Sequence, residues 1–157
     1  MKLALIARAA LALTLLLPAL APVACAPVAP PPNPAAQVDA SSIKAQTLSL
    51  LDVTGDPYAN HAAEVTALTA RIDAAASAAA ADPRNTLSAR QWAVLRDPSR
   101  ALYGGTMALW QSQGALSPTF RDQKKIQIGR AFDYILCLEA NKAQATSCGS
   151  LEEGGAS

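Results

Sequence analysis

The chain reads as all-α, a small antiparallel bundle of about four to five helices. Two observations predict this. Helical punctuation recurs from Asp39 onward, and no stretch alternates apolar and polar residues as a half-buried strand would. A third is composition: 36 of the 157 residues are alanine, the best helix former, which allows close helix approach but buries little area. The core must therefore rest on few large side chains. With 157 residues the chain suits one domain.

Helices are expected near 41–52, 57–81, 88–96, 98–113 and 118–143. Asp56-Pro57, Asp97-Pro98 and Ser117-Pro118 each set a capping side chain before a proline suited to a first helical turn. Ser88 and Gln91 have capping-box spacing, and Gly114 reads as a C-terminal stop. Ser41 or Ser42 reads as the cap of the first helix. In the second helix Tyr58, Ala62, Val65, Leu68, Ile72, Ala76 and Ala79 fall on one stripe. In the last, Phe120, Ile128, Ala131, Phe132, Ile135, Leu136 and Leu138 do so. Each stripe needs covering, which predicts helix-on-helix packing. Gly104-Gly105 interrupts the fourth helix and suits a close backbone approach or a kink.

Ahead of this domain the chain changes character. Lys2 and Arg8 flank a short positive region, Ala9–Leu17 is an apolar run, and Pro18 breaks it. The uncharged run to Ala24 is shorter than the roughly 20 residues a membrane span needs, which favours export over a retained anchor. Pro22-Val23-Ala24-Cys25 resembles the lipobox of bacterial lipoprotein precursors, in which a small residue precedes the cysteine that is lipidated and becomes residue one. Ala24 and Val23 fit, while Pro22 stands where leucine is usual. The resemblance implies lipidation of Cys25 and anchoring to a membrane through that lipid, with the domain facing the periplasm or cell exterior. A soluble periplasmic or secreted protein is the alternative. Five prolines in Ala26–Gln37 favour extended polyproline II. The expected organisation is a signal peptide over 1–24, a proline-rich tether over 25–38, the helical domain over 39–148 and a disordered tail over 149–157.

Cysteine parity bears on the same question. Helical geometry sets Cys137 opposite Ile128, on the solvent side, where an exported protein rarely leaves a thiol free. The tail can carry Cys148 back to it, so a Cys137–Cys148 disulfide is predicted. Lipidation would account for the remaining Cys25.

No catalytic motif stands out, and no cofactor or metal is expected. His61 is the only histidine, which excludes two-histidine zinc motifs. His61-x-x-Glu64 is half of a ferritin-like site with its order reversed. Ser41-Ser42-Ile43-Lys44 matches the Ser-x-x-Lys of penicillin-binding proteins, but Ser-Asp-Asn and Lys-Thr-Gly are both missing from the sequence. His61 and Glu139 both break apolar stripes and form a possible buried polar site. A buried carboxylate needs a partner such as an arginine, His61 or a tyrosine, and a Glu139 near its helix end can alternatively reach solvent. Arg121-Asp122-Gln123-Lys124-Lys125 reads as a solvated helix face. Without residues 1–24 the chain holds 11 basic and 12 acidic side chains, which does not suit a nucleic-acid partner. The functional expectation is a lipid-anchored cell-envelope protein, a non-catalytic binding or structural module with an envelope protein or peptidoglycan as possible partner. The alternative is a small secreted enzyme using carboxylates such as Glu64, Asp73, Asp133 and Glu139.

Overall fold

A computed structural model describes residues 29–149. Cys25, the lipobox-like residues and nearly all of the predicted tail lie outside that range. The described residues form an all-helical bundle of α1 (Pro34–Asp52), α2 (Ala62–Ala80), α3 (Thr86–Arg96), α4 (Tyr103–Gln113) and α5 (Pro118–Ala140), with 3-10 turns at Tyr58–Asn60 and Lys142–Cys148. None of these helices is long and apolar enough to cross a membrane.

α1 begins inside the segment expected to be an extended tether. The Asn33 side chain accepts a hydrogen bond from the Ala36 N–H at 3.1 Å, and Pro34 occupies the first turn, where its missing N–H costs nothing. Proline content there marks a helix start rather than continued polyproline II. Ser41 and Ser42 are consequently interior to α1 and cap nothing. Ser42 Oγ instead accepts from Gln46 and, at 3.4 Å, from the Arg71 guanidinium.

Other expected boundaries also move: α2 starts at Ala62 rather than at 57, so Asp56-Pro57 leads into the 3-10 turn instead of capping the helix, and α5 ends at Ala140 rather than at 143. The Asp97 carboxylate accepts from Ser99 N–H and Oγ at 2.8 and 2.7 Å, so this Asp-Pro pair makes a local turn and α4 starts at Tyr103. Its position beside Ser99 also holds the Asp97 carboxyl below the usual range. Ser88 is buried within α3 and forms no capping box, the helix being entered from Asn85. Ser117 does cap α5, its Oγ accepting from Phe120 N–H, and Gly114 ends α4 at φ +82°. Gly104-Gly105 is a close approach. A Cβ on Gly104 would collide with the Arg96 backbone, and one on Gly105 with the Arg100 carbonyl.

The two stripes meet one core. Val65, Leu68, Ile72, Ala76 and Ala79 from α2 and Ile128, Ala131, Phe132 and Ile135 from α5 are buried with Ile43, Leu50 and Leu51 of α1. Trp92 meets the edge of Phe132 with ring centres 5.9 Å apart. Gln37, early in α1, donates to the Glu139 carbonyl late in α5, while Asp52 at the end of α1 pairs with Lys125 early in α5. The basic cluster is thus only partly a solvated face. Besides Lys125, Arg121 donates to the Asp52 carbonyl and Lys124 to the Ala101 carbonyl.

Candidate functional site

The fold places polar chemistry at both ends of α2, and the two predicted site residues stand one at each. His61 precedes the first turn of α2. Glu139, near the end of α5, shares a cavity with Ala75, Ala78 and Ala79 from the last turns of α2. From His61 to Ala79 the helix advances about 27 Å, so the two are not members of one site.

Glu139 is buried, with 2% of the residue exposed, so it does not reach solvent at the helix end. Its partner is none of those expected from the sequence. The chain leaves α5 at Asn141, whose N–H bonds back to the Cys137 carbonyl, and turns Lys142 inward. Lys142 Nζ stands 2.7 Å from Glu139 Oε2, and both side chains are more than nine-tenths buried. Lys142 Nζ also donates to Asn85 Oδ1 at 3.1 Å, and Asn85 Nδ2 donates to the Ala79 carbonyl at 3.2 Å. The relay ties the end of α5, the entry of α3 and the last turn of α2 together. Apart from this ion pair, Glu139 Oε2 has no further polar partner. The three residues line a cavity of about 90 Å³ with Trp92 and the three alanines of α2. Next to it, Asp82 takes two hydrogen bonds from the Arg84 side chain and one from its N–H. This holds the Asp82 carboxyl down at about 2.

The segment bearing Lys142 is closed by Cys137 and Cys148, which sit at disulfide-bonding distance with Cα atoms 5.8 Å apart. Cys137 is half-buried rather than on the solvent side, because this segment folds back over it.

At the other end, His61 Nε2 and Nδ1 lie 3.5 Å from Asp56 Oδ2 and Glu64 Oε2 respectively. The two carboxylate side chains are 64% and 56% exposed, so water screens both contacts. His61 packs tilted on Trp110 with ring centres 5.6 Å apart, and Tyr58 meets that indole edge-on at 5.2 Å. Trp110 Nε1 donates to the Asp56 carbonyl at 2.9 Å, which fixes the loop before α2. The arrangement has the position of a structural latch. Among the described residues no group of three or more histidine, cysteine, aspartate or glutamate side chains is placed to hold a metal ion.

Beside α2 runs an open groove of about 650 Å³, bounded by Thr69 and Asp73 of α2, Arg96 and Pro98, and Tyr103 and Met107 of α4. Arg96 and Asp73 pair across it at 2.8 Å. The Tyr103 hydroxyl meets Thr69 Oγ1 at 2.8 Å, and burial pushes its ionisation up to about 12.

Asn85, Lys142 and Trp92 are site residues that sequence reasoning missed. For Lys142 a signal existed, since it follows Glu139 by three positions and falls on the same apolar arc of a helix continued to 143. Comparison with protein-family models, with curated proteins and with solved structures finds no match.

Proposed function

We propose that the protein is exported, lipidated at Cys25 and held at a bacterial cell-envelope membrane, where its antiparallel helical bundle serves as a non-catalytic binding module. The observation that carries the reading is cysteine parity. Cys137 and Cys148 stand at bonding distance, so Cys25 is the cysteine left over, directly after Val23-Ala24. A disulfide suits an oxidising compartment outside the cytosol. The described domain begins its first helix at Pro34, so residues 26–33 would form a short spacer between lipid and bundle.

The non-catalytic part rests on the carboxylates. Glu64, Asp73, Asp133 and Glu139, which an acid–base enzyme would need, face His61, Arg96, Lys44 and Lys142 respectively. Asp73 lines the open groove and Glu139 the smaller cavity, so these two do not converge across one cleft, as paired carboxylates in glycoside hydrolysis must.

The test is the mass of the mature N-terminal peptide from membranes of a bacterial host. A diacylglyceryl-modified Cys25 is expected, with Cys25→Ala moving the protein to the soluble fraction. An unmodified N-terminus elsewhere, or an intact Met1, contradicts the anchoring.

A further inference from the structure

The cavity at the Glu139 end holds two buried opposite charges whose hydrogen-bonding capacity is not spent. Glu139 Oε2 faces Lys142 Nζ at 2.7 Å and has no further polar partner, although a carboxylate offers about four acceptor sites. The Lys142 ammonium carries three N–H donors. One reaches Asn85 Oδ1 and one faces Glu139 Oε2 at 2.7 Å, which leaves the third. A buried charge in this condition is costly unless something completes its shell. The cavity is large enough for that. Its volume of about 90 Å³ compares with the roughly 30 Å³ share of one water in the liquid.

The walls limit what could enter. Ala36 of α1 and Ala75, Ala78 and Ala79 of α2 supply methyl groups, and the one further charged residue of the lining, Asp39 at the mouth, is paired with Arg71. A ligand must therefore be a few heavy atoms long, carry a donor-rich cationic end for Glu139 and an anionic end for Lys142, and present a small apolar body to the alanines. We propose that this cavity binds a small zwitterion, an α-amino acid of glycine or alanine size. Its ammonium donates to Glu139, and its carboxylate accepts from Lys142. The exposed Asn33 and Asp39, which also line the cavity, give it a polar mouth. The inference deepens the binding-module reading and rests on it. Failure here leaves the lipidation of Cys25, which is read by mass, standing.

The experiment titrates the purified full chain with glycine, L-alanine and D-alanine, and with ethylamine and acetate as single-charge controls, each to about 10 mM, tenfold above a weak millimolar Kd. Thermal unfolding and the NMR signals of the Asn85 side-chain amide and Trp92 indole are followed together. At least one amino acid is expected to raise Tm by about 5 °C at about 10 mM and to move both signals saturably, while ethylamine and acetate do neither. Glu139→Gln should abolish the effect. Because that variant also alters a buried ion pair, Ala36→Leu provides a second check. It fills the cavity without touching either charge, and should remove the response while far-UV helicity is retained. Absence of any saturable shift overturns the proposal in favour of ordered water alone. So does a response that survives Ala36→Leu, or an equal response to ethylamine or acetate.

Discussion

Before the first turn of α2 an imidazole stands between two carboxylates that are more than half exposed. Beside its last turns a carboxylate meets an ammonium with both side chains under 10% exposed. The chemistry is similar and the physics is not. In water two charges about 4 Å apart gain about 1 kcal/mol, and side-chain entropy consumes most of it. Out of water each ion loses its hydration, and the partner is what makes the other tolerable. The His61 end can therefore lose a charge cheaply, while the Glu139 end cannot lose only one.

The largest expected effect is that of Lys142→Met, which leaves Glu139 buried and uncompensated. Urea denaturation should show a loss of about 3–5 kcal/mol, and a loss under about 1 kcal/mol would break the contrast between the two ends. The Cys137–Cys148 closure comes next. Reduction should lower stability by about 2–3 kcal/mol if it only loosens an unfolded-state loop. A larger drop would show that the closure also keeps Lys142 on Glu139, and comparison with reduced Lys142→Met separates the two contributions.

Tyr103, packed against the middle of α2, gives a neutral case of the same rule. Burial raises its ionisation to about 12 in the folded protein, against about 10 in an unfolded chain. The folded state thus prefers the neutral phenol, and its contribution is complete below pH 10. As pH rises from 10 toward 12, about 2–3 kcal/mol should be lost. Tyr103→Phe should flatten this alkaline limb in a pH series of unfolding curves. The smallest effect belongs to the exposed end. Asp56→Asn should change stability by about 0.5 kcal/mol or less at moderate salt, and a change above about 2 kcal/mol would mean that the latch on Trp110 depends on charge rather than ring packing.

Legibility in the sequence follows the same division between local and distant causes. The buried faces of α2 and α5 were readable because helical period fixes them residue by residue, as at Val65, Leu68 and Ile72 or Ile128, Phe132 and Ile135. Glu139 was readable as a residue inside an apolar arc. Its partner lies three positions on, on the same apolar arc of a continued helix, but spacing alone does not bring the Lys142 ammonium onto Glu139, because the helix stops at Ala140 and the chain turns there. Asn85 comes from across the bundle, and no spacing rule connects it to position 139 or 142. The Asp-Pro signature was ambiguous for a different reason. A short polar side chain before proline caps α1 from Asn33 and closes a turn from Asp97, and the choice depends on where the following backbone finds its hydrogen bonds.

The contrast between the two ends is tested most directly by paired double-mutant cycles measured in urea at pH 7. One cycle takes Glu139→Leu and Lys142→Met, the other His61→Phe and Glu64→Gln. The account predicts a coupling of about 3 kcal/mol or more at the buried pair, with the double variant close to wild-type stability. At the exposed pair it predicts about 0.5 kcal/mol or less. Equal, small couplings at both ends would contradict it.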